Sequence, residues 1–176
     1  MVRSRGFVML CVLGLLGSPW RGIGAAGQLD DATILAIYDA ANTADILTAR
    51  LAAKYGESED VRMLGRMVAA DHVAVQQMGR DLAKKLGVIP TPPDGDTSIM
   101  DCANVLAMLQ SKRGAAFDWA YLQHEVSFHQ AVVNAIKGTL LPAATPELRT
   151  LLTTVLPGFE HHLAATKAAA AKMGVK

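Results

Sequence analysis

The spacing of the prolines constrains this chain more than any other feature. Beyond residue 28 they fall at positions 90, 92, 93, 142, 146 and 157, so long stretches contain none. Within these stretches apolar residues recur every three or four positions, which is the period of an amphipathic helix. The pattern therefore predicts an all-α fold.

Capping residues and glycines set the expected bounds of four long helices and a short one. The helices are expected over residues 30–55, 58–86, 98–110, 115–137 and 146–173. Asp30 or Asp31, and Ser58, are candidate N-caps because their side-chain oxygens accept hydrogen bonds from free amide groups. Three glycines are expected to end helices, the first of them in a left-handed conformation: Gly56, Gly87 and Gly138.

One connection is much longer than the others. Residues 87–97 contain three prolines and the Asp94-Gly95 pair, which cannot continue a helix, and the short helix over 98–110 follows. Two helical hairpins joined by such a crossover are typical of ferritin-like four-helix bundles, whereas simple up-down bundles have only short loops. We therefore predict a ferritin-like four-helix-bundle domain over residues 27–176, with a short extra helix in its crossover.

The N-terminal segment has the three parts of a secretory signal peptide. Arg3 and Arg5 precede an apolar run over 6–17, and small residues follow over 22–27. The run is shorter than the ~20 residues that a helix needs to cross a bilayer. Residues 1–26 are therefore expected to be a cleaved signal peptide, which makes the product periplasmic or otherwise exported, without a stable membrane span. Lipid attachment at Cys11 is the less favoured alternative.

Charge and missing motifs exclude several function classes. The 17 Lys and Arg residues balance 16 Asp and Glu residues without a basic cluster, so nucleic acid is not expected as a partner. The sequence contains no Gly-rich phosphate loop, no CxxC and no nucleophile elbow. Cys102 alone remains after cleavage, so an internal disulfide is excluded and a buried apolar role is expected.

Three histidines on different helices face inward by their spacing. His72, His129 and His162 each lie in a row of apolar residues at steps of three and four. Asp45 in the first helix, and Glu125 one turn before His129, add carboxylates to these inner faces. At 1.5 Å per residue all five lie near the middle of their helices. The sequence therefore predicts that the three imidazoles converge with Asp45 or Glu125 inside the bundle.

Such a cluster has two main interpretations, besides a proton shuttle or other catalysis, which is the least favoured. Neutral imidazoles with a carboxylate suit a transition-metal ion such as zinc, iron, copper or nickel. The protein is then an exported metal-binding protein in metal handling or stress protection. Alternatively, the same side chains form a buried polar network, because an unpaired imidazole or carboxylate in the core costs several kcal/mol. The protein is then a non-catalytic structural or interaction module of the cell envelope.

A di-iron oxidase is the sharpest enzymatic hypothesis, and the spacing argues against it. Such sites take Glu-x-x-His from two helices, whereas Glu125 and His129 lie four residues apart and no Glu-x-x-His occurs in the sequence. An enzyme is therefore not favoured. The other two histidines are expected outside the cluster, with His124 facing solvent and His161 about 100° from the row that contains His162.

Three motifs resemble those of an exported bacterial family. They are Asp71-His72, Gly114-x-x-Phe117-Asp118-x-x-Tyr121-Leu122-x-x-x-Val126-x-x-His129, and Leu156-Pro157-x-x-x-x-His162-Leu163. In this order they resemble the family called domain of unknown function 4142, over nearly all of the chain beyond the signal peptide. The resemblance implies a ferritin-like bundle and a periplasmic or outer-membrane-associated location, without an established reaction.

The chain departs from the pattern of that family in the first helix. The pattern commonly has Glu where this chain has Asp45, and Gly where it has Asn42. Because aspartate reaches less far than glutamate, two roles are open for Asp45. It is either a metal ligand or a hydrogen-bond partner of a ligating histidine.

Overall fold

The structure is a computed structural model that describes residues 29–174. The predicted signal peptide over residues 1–26, with Cys11, lies outside the described residues. Within them the chain is helical and contains no strand, so the all-α prediction is confirmed. The elements are α1 (Asp31–Tyr55), α2 (Glu59–Leu86), α3 (Ser98–Gln110), α4 (Gly114–Ala135), a π-helical segment (Ile136–Leu140), the three-residue α5 (Leu141–Ala143) and α6 (Pro146–Lys172).

Side chains cap the first two helices as predicted. Asp30 Oδ1 accepts a hydrogen bond from Thr33 N at 2.8 Å, and Ser58 Oγ accepts one from Val61 N at 3.2 Å. These bonds satisfy amide groups that have no partner within the helix. The caps therefore define where α1 and α2 begin.

The glycines behave only partly as predicted. Gly87, with a φ of 66°, is the left-handed end of α2. Gly56 is not left-handed: its φ is −55°, and it lies so close to Ala52 that a Cβ would be 2.7 Å from the Ala52 oxygen. Gly56 nevertheless follows the end of α1 at Tyr55, as predicted. Gly138 does not end its helix, because the chain widens into the π-helical turn of Ile136–Leu140 and continues.

Contacts between side chains show that each hairpin is antiparallel. Arg80, near the end of α2, binds Asp39 in the first half of α1 at 2.6 Å. Gly65, near the start of α2, lies against Ala49 in the second half of α1. The same reversal relates α4 to α6, as two pairs show: Gln130 with Lys167, and Lys137 with Glu160.

Asp118 shows how the two hairpins are joined. It is buried near the start of α4, and its two carboxylate oxygens accept hydrogen bonds from Glu57 N and Ser58 N, each at 2.8 Å. The start of α4 therefore lies beside the start of α2. Further along both helices the rings of His72 and His129 lie 5.6 Å apart, so the two helices run in the same direction. Residues 87–97 and α3, which packs against α1, return the chain to that end of the bundle.

A dense apolar core surrounds the middle of this helical bundle. Its largest fully buried aromatic side chains are Phe117, Tyr121 and Phe128, all from α4, and fully buried Ile and Leu residues of α1, α3 and α6 complete it. Cys102 of α3 is 8% exposed, as expected for a buried apolar residue. No helix within residues 29–174 combines the length and the apolar character needed to cross a bilayer.

Candidate metal centre

The structure brings together all five residues that the sequence singles out. Asp45 comes from α1, His72 from α2, Glu125 and His129 from α4, and His162 from α6; none is more than 3% exposed. One ligand atom from each of the three histidines lies within 4.8 Å of the others. The same holds for Asp45, Glu125 and His129, so two overlapping groups share His129.

The centre of the cluster is a small set of nitrogen and oxygen atoms. Asp45 Oδ2 lies 2.8 Å from His72 Nε2 and 3.3 Å from His129 Nε2. His162 Nδ1 lies 3.1 Å from His72 Nε2. Two ligands of a tetrahedral zinc ion, with bonds of ~2.0–2.1 Å, lie about 3.3 Å apart. These three separations are therefore close to those between the ligands of one metal ion.

The hydrogen bond at the other nitrogen of His72 fixes its tautomer. His72 Nδ1 lies 2.9 Å from Asn42 Oδ1. Asn42 Nδ2 donates to the carbonyl oxygen of Tyr38 at 2.8 Å, which orients the amide so that Oδ1 is an acceptor. The proton is therefore on His72 Nδ1, and in the neutral imidazole Nε2 presents its lone pair to the centre.

The outer nitrogens of the other two imidazoles also face acceptors. His129 Nδ1 lies 3.1 Å from the carbonyl oxygen of Glu125, and His162 Nε2 lies 2.9 Å from Asp71 Oδ2. Because neither oxygen can donate, these nitrogens carry the protons of the neutral rings. In the neutral rings, Nε2 of His72 and Nε2 of His129 then present lone pairs to Asp45 Oδ2, and Nδ1 of His162 presents one to Nε2 of His72. A proton or a metal ion between these atoms would relieve the repulsion.

Several buried polar atoms lack a well-aligned hydrogen bond, although Asp45 Oδ2 lies close to two imidazole nitrogens. In the region of the cluster they are both carboxylate oxygens of Asp45, Oε2 of Glu125, Nε2 of His129, Nδ1 of His124 and the hydroxyl of Tyr121. Buried polar groups are rarely left in this state, because each loses its bonds to water without replacement. A cation at the centre would bind two of these atoms directly, Asp45 Oδ2 and His129 Nε2.

The charges of Asp45 and His129 are coupled. Burial alone would raise the pKa of Asp45, but the imidazoles of His72 and His129 hold it below its usual range. Burial likewise disfavours charge on His129, yet the charge of Asp45, together with hydrogen bonds to Glu125, outweighs that effect and raises the pKa of this imidazole to about 9. The centre therefore holds an anionic Asp45 and favours a positive charge beside it.

Glu125 and His162 are held neutral at the edge of this centre. Burial and the charge of Asp45 raise the pKa of Glu125 to about 8, and Oε1 of Glu125 lies 3.0 Å from the hydroxyl of Thr48. Burial lowers the pKa of His162, although Asp71 opposes the shift. A neutral imidazole is the form that binds a metal ion.

The prediction for His124 is wrong, whereas His161 lies outside the cluster as expected and is exposed. His124 is 1% exposed, with its ring centroid 5.7 Å from that of Phe128. Burial lowers its pKa to about 4 and keeps the ring neutral. The reason for the error is that α4 is packed on more than one face, so a position off the inner row is still covered.

Three polar residues of the site were not predicted as functional. Asn42 orients His72, Asp71 binds His162, and the Thr48 hydroxyl lies against Glu125. Asn42 precedes Asp45 by three residues and therefore shares its helix face, which is a signal that the sequence does contain. Asp71 is 57% exposed at its side chain, so helix periodicity alone does not distinguish it from other surface carboxylates.

A cleft between α2 and α6 reaches the cluster from the surface. Its volume is about 200 Å³, and its lining includes Asp71, His72, Gly158, Phe159 and His162. A larger apolar cavity of about 690 Å³ lies between α1, α3 and the crossover, and none of the five candidate ligands lines it. The smaller cleft is therefore the one that bears on the histidine cluster.

Comparison with known proteins identifies a family. The family model described as domain of unknown function (DUF4142) matches residues 21–169. No curated protein and no solved structure matches the chain. The chain belongs to the DUF4142 family, as the three sequence motifs indicated.

Proposed function

We propose that this member of the DUF4142 family is an exported, ferritin-like bundle that binds one transition-metal ion. The proposed ligands are His72, His129, His162 and Asp45, and the proposed role is metal handling or stress protection. The common direction of α2 and α4 on either side of a long crossover supports the ferritin-like assignment. The pattern of residues 1–26 supports export.

The orientation of the imidazoles carries the proposal. Each ring donates its outer N–H to an oxygen, at 2.9 Å for His72, 3.1 Å for His129 and 2.9 Å for His162. Outer hydrogen bonds of this kind fix the tautomer and the direction of ligating histidines in metalloproteins. A network built for packing alone needs no such orientation, with two lone pairs toward one carboxylate and the third toward His72.

Asp45 is the better candidate for the fourth ligand. Its Oδ2 lies within 3.3 Å of two inward nitrogens. Glu125 approaches His129 at Nδ1, the nitrogen that already donates to a carbonyl, with its Oε2 at 3.4 Å. We therefore assign Glu125 to the surroundings of Asp45 and not to the metal. This assignment favours the ligand role of Asp45 over the hydrogen-bonding role.

The donor set narrows the kind of ion. Three neutral imidazole nitrogens and one carboxylate oxygen suit zinc, iron, copper or nickel. Calcium and magnesium prefer sets made of oxygen atoms, so they do not fit this centre. The same set contains too few carboxylates to bridge two iron ions.

One observation favours the alternative of a structural module with a buried polar network. The raised pKa of His129, about 9, allows a protonated ring to neutralise Asp45 without any metal. A bound metal ion and a proton on His129 therefore exclude each other, because the metal ion replaces that proton when it binds. Metal content discriminates between them.

Metal analysis of protein purified without a polyhistidine tag tests the proposal. After exposure to zinc, we expect the wild-type chain to contain a stoichiometric amount of zinc and His129→Ala to contain almost none. His161→Ala is the matched control, because this histidine is exposed and adjacent to a proposed ligand. Equal, near-zero metal in the wild type and His129→Ala would leave the structural module as the function.

A further inference from the structure

The three proposed histidine ligands differ in how firmly their outer nitrogens are held. The partner of His72 is the side chain of Asn42, which is 0% exposed, and the partner of His129 is a backbone carbonyl inside α4. The partner of His162 is Asp71, whose side chain is 57% exposed. His162 is therefore the ligand whose support is open to solvent.

The α2–α6 cleft opens at this same ligand. His162 and Asp71 line it together with His72, and its volume of about 200 Å³ is large compared with the ~30 Å³ that one water molecule occupies in the liquid. Gly158, one turn before His162 on the same face of α6, lines the cleft as well. A Cβ at Gly158 would meet nothing within 4 Å, so space remains beside it.

We propose that the metal ion enters and leaves through this cleft, past His162, with Asp71 as the carboxylate at its mouth. The inference rests on the proposed metal site. The other sides of the cluster are covered by α1 and α4, which supply Asp45 and His129 at 1% and 0% exposure. A hydrated cation would reach Asp71 first, and rotation of His162 away from Asp71 would open the centre.

This route gives Asp71 two tasks. Its negative charge attracts a cation to the mouth of the cleft, an effect that weakens as salt screens the charge. Its hydrogen bond to His162 Nε2, at 2.9 Å, holds the ring in the ligating orientation. Asp71 is therefore a positioning residue that acts through His162 and controls the rate of exchange.

Narrowing the cleft tests the route. Gly158→Leu places a side chain in the open space, and Gly138→Leu is its control, because a Cβ at Gly138 also meets nothing within 4 Å and lies outside the cleft. Mixing with Co²⁺ gives the rate of uptake, and excess chelator gives the rate of release. We expect both rates to fall about tenfold in Gly158→Leu, as for a gated step, with an unchanged dissociation constant and with Gly138→Leu like the wild type.

Removing the charge at the mouth tests the role of Asp71. Asp71→Asn keeps an oxygen acceptor for His162, and Asp81→Asn removes the same charge elsewhere on the exposed face of α2. We expect Co²⁺ uptake to slow about threefold in Asp71→Asn at low salt, with the difference lost at high salt. Asp81→Asn should have a much smaller effect, because it lies ten residues, or about 15 Å, along the helix.

The outcomes of these experiments distinguish the entry route from the metal site on which it rests. A wild-type chain that binds no Co²⁺ overturns the metal site and the route together. Normal uptake and release in Gly158→Leu, in a chain that does bind Co²⁺, overturn the route and leave the metal site in place. Equal effects of Asp71→Asn and Asp81→Asn overturn the role of Asp71 at the mouth.

Discussion

Helix α2 has one face packed tightly against α1 and another that faces α6 across a cleft. On the first face the backbones touch, because a Cβ at Gly65 would lie 2.6 Å from both Ala49 O and Ala53 N. On the second face a cavity of about 200 Å³ remains, and a Cβ at Gly158 would meet nothing within 4 Å. The same helix therefore has a closed side and an open side.

The histidine cluster lies where these two sides meet. The closed side positions Asp45 and His72, whose atoms approach to 2.8 Å and are 1% exposed. The open side carries His162 and its exposed partner Asp71. A rigid face can therefore define the geometry of a site, while a looser face allows exchange with solvent.

The largest expected effect is a difference in stability between a variant of His72, on the closed side, and a variant of His162, on the open side. His72→Ala should lower the free energy of unfolding by about 3–5 kcal/mol, because it leaves the buried carboxylate of Asp45 without one of its two imidazole partners. His162→Ala should cost about half as much, since Asp71 can bond to water instead. Urea denaturation with a chelator present measures both. Equal costs would mean that the two sides do not differ.

The next largest effect distinguishes the two buried carboxylates, Asp45 and Glu125. Asp45→Asn should weaken zinc binding about 100-fold, or about 2.7 kcal/mol, because the amide oxygen carries no charge. Glu125→Gln should weaken it by about tenfold or less, as expected for a group behind the ligands. Competition titration with a chromogenic chelator measures both affinities. A larger loss in Glu125→Gln would exchange the roles that we assign.

A smaller effect tests how closely α1 and α2 approach. Gly65→Ala should destabilise the protein by about 2 kcal/mol, because the new methyl group would lie 2.6 Å from backbone atoms of α1 and force the helices apart. Thermal denaturation followed by circular dichroism measures the change. A neutral result would show that the closed side can relax.

The smallest effect has the opposite sign. Gly158→Ala should stabilise the protein by about 0.5–1 kcal/mol, because alanine loses less backbone entropy than glycine within a helix and no neighbouring atom obstructs it. The same denaturation experiment, run beside Gly65→Ala, measures it. Destabilisation would mean that the cleft is narrower than the structure shows.

Much of the fold follows from local chemistry that the sequence displays. The prolines, the caps at Asp30 and Ser58 and the left-handed Gly87 determine where helices begin and end. The π-helical segment that contains Gly138 could not be predicted, because the choice between stopping and widening a helix depends on how the following residues pack. The helix propensities of the individual residues do not include this packing.

The candidate site divides in the same way. Rows of apolar residues predicted that His72, His129 and His162 face inward, because helix period alone decides the face. The burial of His124 was missed, because periodicity identifies one inner face and α4 is covered on more than one. The hydrogen bond from His72 to Asn42 depends on the distance between two helices, which spacing along one helix cannot give.

The helices, the inward direction of the three histidines and the position of the polar residues near the middle of their helices follow from the sequence, since they depend on contacts within a few residues along the chain. Three features follow only from the packing of the helices: which nitrogen of each imidazole faces the centre, which carboxylate lies there, and which side of α2 is open. These features depend on side chains from separate helices approaching within 2.8–3.3 Å. Distances of this kind are set by the packing of the whole bundle.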